Sequence, residues 1–280
     1  MGLLSYIAKR VAFALATILI IMTLNFVIFR LMPGDPVAMI ADMVRLRPEQ
    51  VTRLYELFGL NRPLWEQYVQ YMIQTLRGFY GYSFYTQRPI ADEIMTRLPN
   101  TLLLVGTATV LSIVIGLVIG IFAAARRGSL IDITAITFGF VGNSVPVFWL
   151  GLILLLVFGV DLRWFPIRGT TSVPAPTDPL ALVMDIMWHM TLPTFALVII
   201  LFGGYALIMR AVMIDVLTED YIQLARAKGL DERTVQYKHA LRNAMLPMVT
   251  VIALAFGFLL SGALLTETVF SWYGLGRYIW

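Results

Sequence analysis

The chain of 280 residues contains no cysteine. That excludes disulfides and thiolate metal sites and leaves the compartment open, since a membrane protein needs neither. It is also poor in charge: Asp, Glu, Lys and Arg make up 14% of it, against 59% hydrophobic residues. A soluble domain carries about a quarter charged residues, so these cannot cover a water-facing surface of this size. Mean hydropathy is +0.80. No Gly-x-x-x-x-Gly-Lys-Ser/Thr phosphate loop occurs, which leaves the chain without that means of holding a nucleotide. A His-Glu-x-x-His pair, paired aspartates, or Ser and His at depth are lacking too, which argues against an intramembrane enzyme. The two histidines, His189 and His239, sit at expected helix ends with no metal constellation around them. The formal charge of +4 does not point to nucleic acid, because basic residues of membrane proteins collect in cytoplasmic loops.

What is present is a set of long uncharged runs. A spanning helix needs roughly 20 mostly apolar residues, and five stretches qualify: Val11 to Phe29, about Asn100 to Ala125, the run after Asp132 as far as Val160, Thr191 to Met209, and about Met245 to Thr266, which ends at Glu267. None has an ionisable residue in its middle. Secondary transporters usually carry such residues or broken helices at the midplane, so that class is disfavoured; a bare channel or scaffold stays formally open. In lipid each segment must satisfy its own backbone, so these are helices. The first is read as retained and not cleaved, because Leu31-Met32-Pro33-Gly34 follows it in place of a small-x-small site.

Lys and Arg set the orientation. With Lys9 and Arg10 in the cytoplasm, Arg126-Arg127 and the basic stretch Arg210 to Arg242 also fall inside, and all three lysines (Lys9, Lys228, Lys238) share one side. Segment 33–98 then lies outside as a helical insertion. Val51, Leu54, Leu57 and Phe58 recur at helical spacing before Gly59, and Trp65, Tyr68, Val69, Met72 and Ile73 mark a second helix over Pro63 to Leu76. These amphipathic helices suit a membrane surface or a docking partner equally. The Pro- and Ser-rich stretch Phe165 to Pro179, flanked by Trp164 and Trp188, reads as an outside loop.

The cytoplasmic segment 214–246 is the most informative. Glu219-Asp220-Tyr221-Ile222-Gln223-Leu224-Ala225-Arg226-Ala227-Lys228-Gly229 reads as a short helix closed by a left-handed glycine. Asp231 can cap a second helix that runs to Leu246-Pro247 and into the fifth span. A loop that only needed positive charge would have no use for such a defined hairpin.

This hairpin resembles the coupling loop of binding-protein-dependent ABC importer permeases. Glu219-Asp220-Tyr221, Ala225-Arg226-Ala227-Lys228-Gly229 and His239-Ala240-Leu241-Arg242-Asn243-Ala244 are similar to the dipeptide, oligopeptide and nickel branch, and to the first permease of its pair. Five further motifs lie in family order along the chain: Arg30-Leu31-Met32-Pro33-Gly34-Asp35-Pro36, Arg97-Leu98-Pro99-Asn100-Thr101, Arg126-Arg127-Gly128-Ser129, Ser144-Val145-Pro146-Val147-Phe148-Trp149-Leu150-Gly151, and Glu267 to Arg277. Gln223 and Leu224 depart from the generic loop, which has Glu and Ala there. The resemblance implies an all-α polytopic bundle of the type I importer permease fold, one permease domain over 1–280, with a sixth span beyond Trp280. It implies no cofactor on this chain, with ATP and magnesium on two ATPase subunits. A second permease subunit, an extracytoplasmic binding protein and the cell membrane of a bacterium or archaeon complete the setting. Peptides lead as substrate, oligosaccharides are the alternative, and nickel is least favoured because the helices offer no histidine cluster.

On that resemblance Glu219, Asp220, Leu224, Ala225, Arg226, Ala227, Lys228 and Gly229 are the candidates for ATPase coupling, with Leu224 and Ala225 on the docking face and Gly229 as the turn. Arg226 and Lys228 suit either acidic groups of the partner or positive-inside bias alone. Asn25, Asn143, Ser144, Pro146 and Glu267 are the pathway or gating candidates. For Asn25, Asn143 and Ser144 the commoner use is interhelical hydrogen bonding. Pro146, with Gly139 and Gly142, suits a bend, whereas the Gly116 and Gly120 pair suits close helix packing. Glu267 could meet substrate or binding protein, and hydrogen bonding to the chain turn at Phe270-Ser271 is the favoured alternative.

Overall fold

The computed structural model describes residues 2–31, 47–57, 59–83, 86, 88–259 and 263–279. Met32 to Pro36, Phe58, and the side chains of Leu54 and Leu57 lie outside the described residues. The chain divides into two compact units, residues 1–95 and 96–280.

In the first unit, α1 (Leu3–Leu31) is followed by α2 (Pro48–Leu57) and α3 (Leu64–Leu76). Gly59 takes φ +60° just after α2, the left-handed turn that glycine adopts without steric cost. Pro63 precedes the first turn of α3 in extended conformation. The apolar residues Leu64, Trp65, Val69, Ile73 and Leu76 of α3 are exposed. Tyr68 and Tyr71 meet α1: the Tyr68 hydroxyl lies 2.8 Å from Thr23 Oγ1, and both rings pack on Phe26 with centroids 5.3 and 5.6 Å away.

In the second unit the helices are α4 (Ile90–Ala125, which begins in the first unit), α5 (Leu130–Ser144), α6 (Val147–Asp161), α7 (Pro179–Leu217), α8 (Asp220–Ala227), α9 (Glu232–Phe258), α10 (Leu264–Val269) and α11 (Leu275–Ile279). Local chemistry sets several starts. Ser129 caps α5 through the Asp132 N–H; Asp178 caps α7 through the Ala181 N–H at 2.8 Å, with Pro179 as first helical residue.

Four helices, α1, α4, α7 and α9, are long and apolar enough to cross a membrane, and α5 with α6 makes a fifth span if the bent pair is one. Two expected spans need correction. The third is not straight: α5 and α6 meet at 97°. The bend falls at Val145, extended at φ −84° and ψ 127°, because the ring of Pro146 disfavours helical backbone in the residue before it. Gly139 and Gly142 do not make this bend. They are buried, and a Cβ on Gly142 would lie 2.6 Å from Ile199 O of α7. The fifth does not run as one described helix to Thr266: α9 is described to Phe258, residues 260–262 lie outside the described residues, and Glu267 belongs to α10, which follows the non-helical Ala263 (φ −120°, ψ 67°).

The long α7 is the axis on which this unit packs. Gly116 and Gly120 of α4 bear the expected close-packing role: an added Cβ would come 2.6 Å from Tyr205 Cβ and from Ala206 O. Gly203 of α7 meets Gly139 of α5 backbone to backbone, its own added Cβ 2.6 Å from Gly139 Cα. Between helices in lipid, where both states are apolar, such close van der Waals contact drives association.

Candidate functional site

The hairpin forms as its residues dictate. Gly229 takes φ +75° and closes α8, and Asp231 caps the next helix through the Arg233 N–H at 3.1 Å. Beneath it lies one core. Ile222 and Ala225 of α8 are buried with Met209 and Met213 of α7, Val235, Ala240, Ala244 and Met248 of α9, and Ala124 of α4. Hydrogen bonds fix its flank, with Asn243 Nδ2 donating to the Tyr221 hydroxyl at 2.8 Å. The hairpin is therefore seated on three long helices, not hung between two of them.

That seating sorts the coupling candidates. Leu224 is 56% exposed and projects outward, as do Glu219, Asp220, Ala227, Lys228 and Gly229. Ala225 is 8% exposed, so it supports the hairpin from below and is not on its exposed face; its small size is what lets α8 lie close. Arg226 is committed internally. It donates to both oxygens of Glu232 at 2.9 and 3.1 Å and reaches Leu217 O at 3.3 Å. The hydrogen-bonded Glu232 carboxylate pushes the Arg226 guanidinium above its ordinary value. Lys228 makes no ion pair among the described residues.

Two features at this end have little sequence signature. Val235–Ala240 is a π-helical turn inside α9, a widened backbone that is rare and frequently functional. Asp132, 2% exposed at the start of α5, grips Arg210 of α7 through both carboxylate oxygens, Nη2 to Oδ2 being 2.8 Å. The Gly128 N–H also donates to Oδ2 at 2.9 Å.

The pathway candidates scatter. Asn25 is on α1 in the first unit, where its Nδ2 approaches the Tyr71 hydroxyl at 3.4 Å. Asn143, Ser144 and Pro146 are exposed at the 97° bend, and Ser144 Oγ donates back to Phe140 O at 2.8 Å. Glu267 is corrected: it is fully buried, so it is no outer-end contact for substrate. Its Oε1 accepts from Thr101 Oγ1 at 2.8 Å and its Oε2 from the Arg277 N–H at 2.9 Å. Thr101 Oγ1 in turn accepts from the Leu275 N–H at 2.7 Å. The carboxylate thus ties Arg277 directly and Leu275 through Thr101, and does not bond the Phe270-Ser271 turn. Gly274 is required beside it, since a Cβ there would strike the carboxylate. Trp272 Nε1 donates to Asn100 O at 3.0 Å, and Asn100 Nδ2 to Tyr273 O at 2.8 Å.

The second unit also holds an apolar cleft of about 690 Å³ between α4, α7, α9 and α10. Thr109, Tyr205 and Thr266 are its polar lining residues, and the Thr266 hydroxyl is buried without a partner among the described residues. No cluster of three or more His, Cys, Asp or Glu suited to a metal occurs among the described residues.

A multi-helix membrane component with a hairpin seated on its long helices is the class that these features define. Residues 116–280 match the family described as binding-protein-dependent transport system inner membrane component. Residues 3–105 match its companion, the N-terminal region of such membrane components. The chain belongs to this family and is a multi-pass membrane protein. It is similar to the di/tripeptide transport system permease protein DppB of Pseudomonas aeruginosa, at 37% identity over 99% of this chain and 87% of the relative. It resembles the oligopeptide transport system permease protein AppB of Bacillus subtilis at 36% identity over 98% of this chain and 85% of the relative. The glutathione transport system permease protein GsiC of Escherichia coli is 39% identical over 98% of this chain and 85% of its own length.

Proposed function

We propose that this chain is one of two permease subunits of an ATP-driven importer of short peptides. The names of its relatives support the substrate class, since each describes a peptide or glutathione permease. ATP hydrolysis falls to two partner ATPase subunits, and a binding protein delivers substrate from outside. The chain lies in the cell membrane of a bacterium or archaeon with its N-terminus in the cytoplasm. The concentration of Lys and Arg at the N-terminus, after α4 and in the hairpin supports this orientation. Segment 33–98 is then an extracytoplasmic insertion and 214–246 the coupling hairpin.

One observation carries the mechanical reading: the outward face of α8, with Leu224 at its centre, stands on a core shared with α4, α7 and α9. A partner groove that receives this face pushes on three spanning helices at once, as a short helix seated in a cleft can. ATP-driven approach of the ATPases then tilts these helices and opens or closes a path. The bend at Val145-Pro146 and the neighbouring Asn143 and Ser144 are suited to yield during that motion, and the cleft lined by Tyr205 and Thr109 is a wall of the path. Reconstitution of the chain with its second permease, its ATPases and its binding protein tests this. Peptide uptake that requires ATP and all partners is expected. Uptake by the chain alone without ATP would sink the importer reading, and uptake of oligosaccharides in place of peptides would overturn the substrate class.

A further inference from the structure

The first unit contains a cavity of about 750 Å³ lined by the end of α1, the α2–α3 turn, α3, and the segment that follows it, with several polar and charged residues in its wall. A cavity of this volume lies within the range of small-molecule sites, about 300–1,000 Å³. Helix α3 turns Trp65, Val69 and Ile73 outward, as a helix lying on a membrane surface does, and lines the cavity with Gln67, Gln70 and Gln74. These three amides recur at i, i+3 and i+7, on one face of the helix.

Gln67 is 9% exposed. Its Nε2 donates to Leu60 O at 3.3 Å and Arg62 O at 2.6 Å, which fixes the amide orientation, and its buried Oε1 has no partner among the described residues. Gln67 Oε1 is itself closed off from solvent, so Gln67 braces the wall, and Gln70 and Gln74 line the cavity beside it. Around this stripe the cavity carries two guanidinium groups, Arg30 and Arg62, and one carboxylate, Glu56. No salt bridge among the described residues uses any of the three.

We propose that this cavity is a binding site for the zwitterion of a short peptide. Arginine forks suit the carboxylate terminus, Glu56 suits the ammonium terminus, and the glutamine amides match peptide groups as both donor and acceptor. Peptide is preferred to other zwitterions on the strength of the importer reading above, on which this inference rests. The site would hold substrate on the permease itself, apart from the binding protein.

Equilibrium binding of a fluorescent tripeptide to the assembled permease–ATPase complex, without binding protein and in phosphatidylcholine nanodiscs, tests it. Saturable binding is expected, weakened about tenfold or more by Arg62→Gln and by Glu56→Gln, the scale of one charge-assisted hydrogen bond. On the unaltered complex, amidating the C-terminus or acetylating the N-terminus of the peptide is expected to weaken it similarly, free of any question of folding. Wild-type importer that transports peptide with its binding protein, yet shows no such binding or binding indifferent to both termini, overturns this site and leaves the proposed function standing. Failure of the complete importer to transport any peptide overturns the substrate class and this inference together. Displacement of the bound peptide by phosphatidylethanolamine, without competition from a second peptide, would assign the cavity to a lipid headgroup and also overturn it.

Discussion

A substitution at Leu224 alters what the hairpin offers to a partner and little else, because the side chain is exposed and outside the core beneath. Leu224→Asp is therefore expected to cut ATP-driven uptake about tenfold, the equivalent of about 1.4 kcal/mol in docking. Thermal unfolding of the purified chain in detergent should not shift. Ala225→Leu is expected to do the reverse. Overpacking a filled core costs about 1–3 kcal/mol, so the unfolding midpoint falls before any coupling can be measured. At the other end of the unit, Glu267→Ala strips acceptors from the Thr101 hydroxyl and the Arg277 N–H. Each orphaned buried donor costs about 1–3 kcal/mol, which a drop in midpoint should reveal, with Glu267→Gln milder since one amide oxygen remains.

Among the elements, close apposition of α4 and α7 rests on two glycines. Gly120→Val would drive a branched side chain into Ala206 O and Met209 Cβ and is expected to abolish monodisperse purification. Gly106→Ala on the same helix meets nothing within 4 Å and should behave as wild type in the same gel-filtration run. Much at the level of elements is legible in the amino-acid sequence. Uncharged runs locate the spans, Gly229 and Asp231 mark the hairpin turn and its cap, and Pro63 opens α3, because propensity and capping act over a few neighbouring residues. Features that depend on what lies opposite are not legible in this way. Asp132 and Arg210 are 78 positions apart, and nothing local says that they meet. Glu267 looks like a boundary carboxylate until Thr101 and the Leu275–Ile279 turn close around it. The direction of α3 is hidden for a similar reason: periodicity reveals two faces but not which one the fold encloses. Pro146 announces a bend, but its 97° is set by how α5 and α6 each find their own contacts on α7.

For the whole molecule, Asp132 and Arg210 join the hairpin end of α7 to the head of α5, so the two helices should move together there. Removing one partner of a buried ion pair costs about 3–5 kcal/mol, toward the low end here because the Arg210 side chain keeps 22% of its exposure. Asp132→Ala is expected to lower both the unfolding midpoint of the chain and the yield of ATPase subunits that co-purify with it.

The backbone contact of Gly203 with Gly139 gives this motion a geometry. At 1.5 Å per residue, about 21 Å of α7 extends from Gly203 to its hairpin end at Leu217, and about 36 Å to its start at Pro179. With the Asp132–Arg210 pair tying the same two helices on its hairpin side, that crossing is a natural point about which α5 and α7 tilt as a pair. A tilt imposed at the short arm would be returned at the far arm enlarged about 1.7-fold, so a stroke of a few ångströms beneath the hairpin becomes a wider opening at the opposite face. Pro193 lies inside the long arm and removes one of its backbone hydrogen bonds, so the outer part can bend instead of following as a stiff rod.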